Sequence, residues 1–150
     1  LVTDDIVGQV NSLGGGVHAE ALEPYDFVYG DIEHLCTPIE IRNESGPMPC
    51  DDIISAIHPT PAVCGFPREK ALADIARFET APRNCYGGLI TVPGPTGRLA
   101  YVILRCVHFD SSRWAVYTGS GVTADSDPAD EWRETEAKAA PLVSLLNHYS

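Results

Sequence analysis

Hydrophobic residues recur along this chain with two different periods. Val2, Ile6, Val10 and Leu13 return every three or four positions, which predicts an amphipathic helix over residues 1–13. Three consecutive glycines at 14–16 end it. Apolar-rich runs at 25–30 and 32–41 read as strands. Residues 42–50, with Gly46, Pro47 and Pro49, read as a loop. Asp51 or Asp52 is placed to cap a short helix that ends at Ile57. Pro67 opens the next helix, through Phe78, with Leu72, Ile75 and Ala76 on one face. Proline suits the first helical position because its missing N–H has no intrahelical partner there. Three strands follow, at 87–92, 99–109 and 114–119, joined by hairpin turns at 93–97 and 110–113. Asp127 caps the last helix, with Pro128 at its first position and Asp130 and Glu131 in its first turn. Pro141 is expected to kink that helix or to begin a second segment. Helices with an antiparallel meander give an α+β fold.

The bulk properties narrow the function. At 150 residues the chain suits one domain. Its net charge of −11 opposes binding to nucleic acid or to an anionic membrane, both of which rely on clustered Lys and Arg. No apolar run approaches the roughly 20 residues of a membrane span. The start, Leu1-Val2-Thr3-Asp4-Asp5, has no basic region and no Met, so the chain reads as a piece of a longer protein without a signal peptide. The five cysteines are dispersed and none forms Cys-x-x-Cys, which argues against a zinc ribbon or redox pair. Free thiols in a reducing cytoplasm are the simplest reading.

Four groups of residues carry candidate chemistry. Glu131, Glu134 and Lys138 share one helix face by their spacing of three and four. Two carboxylates there offer oxygen donors to Mg²⁺, and the lysine reaches an adjacent carboxylate of a ligand. The plain alternative is a solvated face with a Glu134–Lys138 pair. Arg105 lies in an otherwise apolar strand, where a buried guanidinium needs an anionic partner. Its planar fork matches a carboxylate, and the alternatives are an internal salt bridge or an outward-facing side chain. Gly119 and Gly121 allow backbone N–H groups to approach an anion, or simply form a tight turn. Neither a dinucleotide fingerprint nor a Walker lysine accompanies them. His58 precedes Pro-Thr-Pro, which aims the imidazole either into a cleft or into a structural hydrogen bond. No Gly-x-Ser-x-Gly elbow is present.

The order of these elements adds what each lacks alone. His34-Leu35-x-Thr37, His58-Pro-x-Pro-Ala-Val-x-Gly65-x-Pro67, Tyr86-Gly-Gly, Ile103-x-Arg105, Gly119-x-Gly121-Val and Glu131-Trp-x-Glu134-Thr-x-x-Lys138 occur in sequence. This resembles the chorismate-utilising enzymes, which share the anthranilate synthase component I-like fold. Gly65-Phe66-Pro67 and Glu131-Trp132-Arg133-Glu134-Thr135 are most similar to the isochorismate synthase branch. The resemblance implies an Mg²⁺-dependent isomerase that converts chorismate to isochorismate, for menaquinone or siderophore biosynthesis. Salicylate or anthranilate synthesis, or an inactive chorismate-binding remnant, are the alternatives. Residue by residue, it implies that Glu134 binds Mg²⁺ with Glu131 as its partner. It implies that Arg105, Gly119 and Lys138 hold substrate carboxylates. His58 and Tyr86 would line the pocket, with Thr37 a weaker match. Residues 1–150 would be the C-terminal portion of one catalytic domain. A water-activating lysine, a general-acid glutamate and further metal-binding glutamates would come from the N-terminal half of that domain, or from a complementing chain. No catalytic group of this kind is identified within residues 1–150.

Overall fold

The computed structural model describes every residue except Gly30, Asp31, Thr96 and Ser150, and only the backbone of Tyr29, Ile32 and Tyr149. The chain divides into two compact units, Leu1–Leu72 and Ala73–Ser150.

In the first unit, α1 (Val2–Asn11) carries the predicted apolar stripe, and Val10 is fully buried. Residues 12 and 13 fall beyond the helix, whose end is followed by three glycines with φ of 66°, 63° and 87°. Such angles are open to glycine because it has no Cβ. A Cβ on Gly16 would also lie 2.1 Å from Ser45 Oγ. Strand β1 (Val17–Ala21) follows, which the sequence reading passes over although Val17, Ala19 and Ala21 alternate with polar residues. The run at 25–41 forms β2 (Tyr25–Tyr29), β3 (Ile32–Cys36) and β4 (Ile39–Asn43). The expected end of the first run at Gly30 lies outside the described residues. The single strand expected at 32–41 is thus two, separated at Thr37 and Pro38. Proline has no N–H for a ladder, and β4 turns back to pair with β1, Val17 opposite Asn43 and Ala19 opposite Ile41. Strands β2 and β3 pair with each other, Phe27 opposite His34.

Helix α2 (Cys50–Ile57) follows Pro49 as its cap residue. Asp51 and Asp52 therefore stand in its first turn instead of capping it, where their charge still favours the helix N-terminus. Its Ile53 joins Val10, Val17 and Ala19 as the core, with Val7, Ile39, Ile41 and Ile57 packed around them. Burying a valine or isoleucine side chain stabilises by about 1.5–3 kcal/mol. The Asn11 amide brackets Ala19: its Nδ2 donates to the Ala19 carbonyl at 3.2 Å and its Oδ1 accepts the Ala19 N–H at 2.8 Å. Both polar groups of that buried strand residue are satisfied by one side chain. A short α3 (Pro61–Cys64) ends at Gly65, whose φ is 89°. Helix α4 (Arg68–Phe78) begins one residue after Pro67 and spans the boundary of the two units.

The second unit contains two hairpins and a long helix. Strands β5 (Leu89–Gly94) and β6 (Gly97–Val102) pair antiparallel, as do β7 (Cys106–Phe109) and β8 (Trp114–Tyr117). The expected turn at 93–97 includes Thr96, which lies outside the described residues. Leu99–Phe109 is not one strand, and the described strands pair two by two in place of a meander. Past Val102 the ladder ends in two bonds, Gly87 N–H to the Ile103 carbonyl at 2.8 Å and Ile103 N–H to the Gly88 carbonyl at 2.9 Å. The chain then turns at Arg105, with φ of 50°, before β7 starts. At the β7–β8 turn, Asp110 Oδ1 accepts the amides of Ser112 and Arg113 at 2.8 and 2.9 Å. Helix α5 (Pro128–Tyr149) is capped as expected: Asp127 Oδ1 accepts the amides of Ala129 and Asp130. It passes through Pro141 without starting a second segment.

Among the described residues of this unit, no hydrophobic side chain is fully buried. Ile90 and Val92 stand opposite Tyr101 and Leu99, and all four are exposed. Cross-strand partners and residues two apart share one face of a hairpin. One face of β5–β6 is therefore apolar and exposed among the described residues. No helix of the described residues is long and apolar enough to cross a membrane.

Candidate functional site

The site residues read from the sequence fall in both units. Thr37 and His58 stand in the first; Tyr86, Arg105, Gly119, Glu131, Glu134 and Lys138 stand in the second.

Gly119 is the meeting point of the second group. It lies two residues past β8, opposite the middle of α5. Lys138 Nζ donates to its carbonyl at 3.0 Å and also pairs with the Glu134 carboxylate. The Lys138 side chain is largely covered, 27% exposed, whereas that of Glu134 is 52% exposed. Thr118 ties the same segment to the helix, its Oγ1 donating to the Thr135 carbonyl at 3.2 Å. On its other side Gly119 meets Tyr86: a Cβ at 119 would lie 2.4 Å from the Tyr86 hydroxyl. Only glycine admits that approach without a shift of the ring. Tyr86 is itself held by stacking on Tyr117, with centroids 6.5 Å apart, and by the Arg83 guanidinium over its face. Asn84 Nδ2 donates to the Tyr117 hydroxyl at 2.6 Å. Tyr117 and Asn84 escape the sequence reading because nothing marks a ring as a support for another ring.

Arg105 is exposed and forms no ion pair among the described residues. Its expected position within a strand is corrected by the turn at 103–105. An exposed guanidinium at a turn needs no buried anionic partner. What remains is a guanidinium with unengaged donors, two residues beyond the ladder end that carries the Tyr86–Gly88 turn.

Glu131 is placed differently from Glu134. It lines a cleft of about 600 Å³ together with Tyr117, Ser120, Val122, Ser126 and Trp132. Ser126 Oγ donates to Glu131 Oε1 at 2.5 Å. The Ser126 hydrogen bond first, then the nearby Ser120 hydroxyl, with a weaker pull from Lys138, holds the carboxyl below its usual range. Its second oxygen, Oε2, is buried and has no hydrogen-bond partner. An ionised oxygen shielded from water and left unpaired is destabilising unless a donor or cation meets it. The unpaired Glu131 oxygen is of the kind that a hard, oxygen-seeking cation takes. Among the described residues no three His, Cys, Asp or Glu side chains gather as a metal-binding group.

In the first unit, the His58 carbonyl accepts from the Arg68 guanidinium, which also donates to the Ala56 carbonyl at 2.9 Å. His58 Nδ1 is buried without a partner. Burial, then the Arg68 charge, pushes the imidazole below its ordinary pKa and favours its neutral form. Thr37 is half-buried between β3 and β4.

Comparison with known proteins agrees with this arrangement of motifs. The family model for chorismate binding enzymes matches residues 1–147. The chain belongs to the chorismate binding enzyme family. Isochorismate synthase MenF of Haemophilus influenzae is 38% identical over 95 residues, covering 63% of this chain and 22% of that protein. Isochorismate synthase EntC of Escherichia coli K12 is 31% identical over 114 residues, 75% of this chain and 29% of that protein. Anthranilate synthase component 1 of Neisseria meningitidis is 34% identical over 116 residues, 77% of this chain and 23% of that protein. The chain thus spans less than a third of each of these relatives.

Proposed function

We propose that the complete protein carrying this chain is a cytoplasmic isochorismate synthase that converts chorismate to isochorismate with Mg²⁺, and that residues 1–150 form the carboxylate-holding half of its site. The observation that carries the proposal is the convergence at Gly119. There a covered lysine, a glutamate and a tyrosine hydroxyl are fixed around one backbone position. In this reading Lys138 and Arg105 hold the two carboxylates of the substrate, the arginine through its fork. Gly119 lets the ligand approach the backbone, with Tyr86 beside it. Mg²⁺, when bound, offsets the charge of a substrate carboxylate, and Glu134 and Glu131 would hold it. The groups that add water to the ring and release the C4 hydroxyl come from the remainder of the domain or from a complementing chain. The exposed apolar face of β5–β6 offers that partner a surface to pack against.

Anthranilate-type synthesis on the same scaffold is the second reading, favoured by the match to anthranilate synthase component 1 over 77% of this chain. Trp132 and Gly65-Phe66-Pro67 tip the choice toward isochorismate. Product analysis of the complete protein with chorismate and Mg²⁺ decides between them. Isochorismate is the expected product. Anthranilate formed with an ammonia source would replace this reading with the second, and no product at all would leave an inactive binding protein.

A further inference from the structure

Ser126 stands one residue before the Asp127 cap of α5, and nothing above gives it a role of its own. A hydroxyl has one proton to donate and two lone pairs to accept with. In Ser126 the allocation is fixed. Its Oγ accepts the Thr123 amide at 2.9 Å, with the Thr123 hydroxyl 3.4 Å away, and donates to Glu131 Oε1. The Ser126 amide closes the loop by donating to the Thr123 carbonyl at 3.2 Å. Glu131 Oε1 is therefore engaged by a donor that is itself held in place. Oε2 is the oxygen left buried and unpaired.

We infer that Ser126 is a positioning residue for the cation site: it fixes the Glu131 carboxylate so that Oε2, not Oε1, is the oxygen presented to a divalent ion. The inference rests on the reading of Glu131 as a metal-binding residue. Outer hydrogen bonds of this kind set the orientation of a metal-binding side chain, and their loss typically lowers metal affinity or activity about 10–100-fold. A serine that only stapled the 123–126 loop would alter stability and leave cation affinity unchanged.

The test is equilibrium Mn²⁺ binding to the complete protein, read by the electron paramagnetic resonance signal of free Mn²⁺ and requiring no turnover. Ser126→Ala is expected to weaken Mn²⁺ binding about 10–100-fold, and Ser126→Thr, which keeps the hydroxyl, to restore it. If the alanine variant does not fold, Ser126→Cys, a weaker donor of similar size, should show the same loss. Glu131→Gln separates the two levels of the reading. Wild-type affinity in Ser126→Ala or Ser126→Cys, while Glu131→Gln loses binding, would overturn the role of Ser126 and leave the metal site standing. Equal losses in the alanine and threonine variants would overturn it as well. Unchanged binding in Glu131→Gln would remove the metal reading and this inference together.

Discussion

Residues 1–150 alone, supplied with chorismate and Mg²⁺, are expected to form no isochorismate, salicylate or anthranilate above background. The chain has only two lysines, and neither is placed to activate water. Lys138 is bound to the Gly119 carbonyl and the Glu134 carboxylate. Lys70 is exposed in the first turn of α4. Of the two glutamates on the site face of α5, Glu134 is paired with Lys138. Glu131 is held below its usual range, first by the Ser126 hydrogen bond, which favours its ionised form. General acid and general base each contribute about 10²–10⁴-fold, and losing both leaves a rate near background. Circular dichroism on the same sample establishes that it is folded. Clear turnover by the folded chain would place the acid and base among these residues.

Glu134→Ala in the complete protein is expected to weaken Mg²⁺ binding, measured by calorimetry with chorismate present, by more than about 100-fold. That exceeds the loss typical of an outer hydrogen-bonding partner because a direct oxygen donor is removed. The same variant breaks the Glu134–Lys138 pair, whose glutamate side chain is 52% exposed. Pairs of this type contribute about 0.3–0.5 kcal/mol, so the thermal midpoint should hardly move. Unchanged Mg²⁺ affinity would return the two glutamates to a solvated helix face. A large stability loss with intact Mg²⁺ binding would make Glu134 a structural partner of Lys138.

The sequence spoke clearly where one local rule decides. Asp127 before Pro128 is a cap in the structure because the side-chain oxygen reaches two free amides in any helix so begun. Val2, Ile6 and Val10 of the predicted stripe lie in α1, with Val10 in the core, whereas Leu13 falls beyond the helix and is exposed. The sequence reading failed where distant segments decide. Tyr101 to Phe109 is almost uniformly apolar, and no glycine or proline marks the turn at Arg105. That turn exists because the Tyr86–Gly88 segment takes up the Ile103 backbone and ends the ladder. Pro38 marks the β3–β4 break, and the apolar residues on either side mask it. Helical spacing put Glu131, Glu134 and Lys138 on one face. It could not separate a glutamate bound to Ser126 at a cleft from one paired with lysine at the surface, because that depends on where residues 118–126 fold back. Tyr86 against Gly119 is likewise a contact across 33 residues, with no local trace.

Arg105 offers the sharpest measurement, since it has no ion pair among the described residues to confuse the outcome. Chorismate binding to the complete protein should be titrated for wild type and Arg105→Lys, with the thermal midpoint of both. The substitution keeps the charge and loses the planar fork. Binding is expected to weaken by about 1.5–3 kcal/mol, the range for hydrogen bonds to charged groups, with the midpoint unchanged. Wild-type chorismate affinity in Arg105→Lys, accompanied by a lowered midpoint, would make this arginine structural and contradict the assignment of this chain as the carboxylate-holding half of the site.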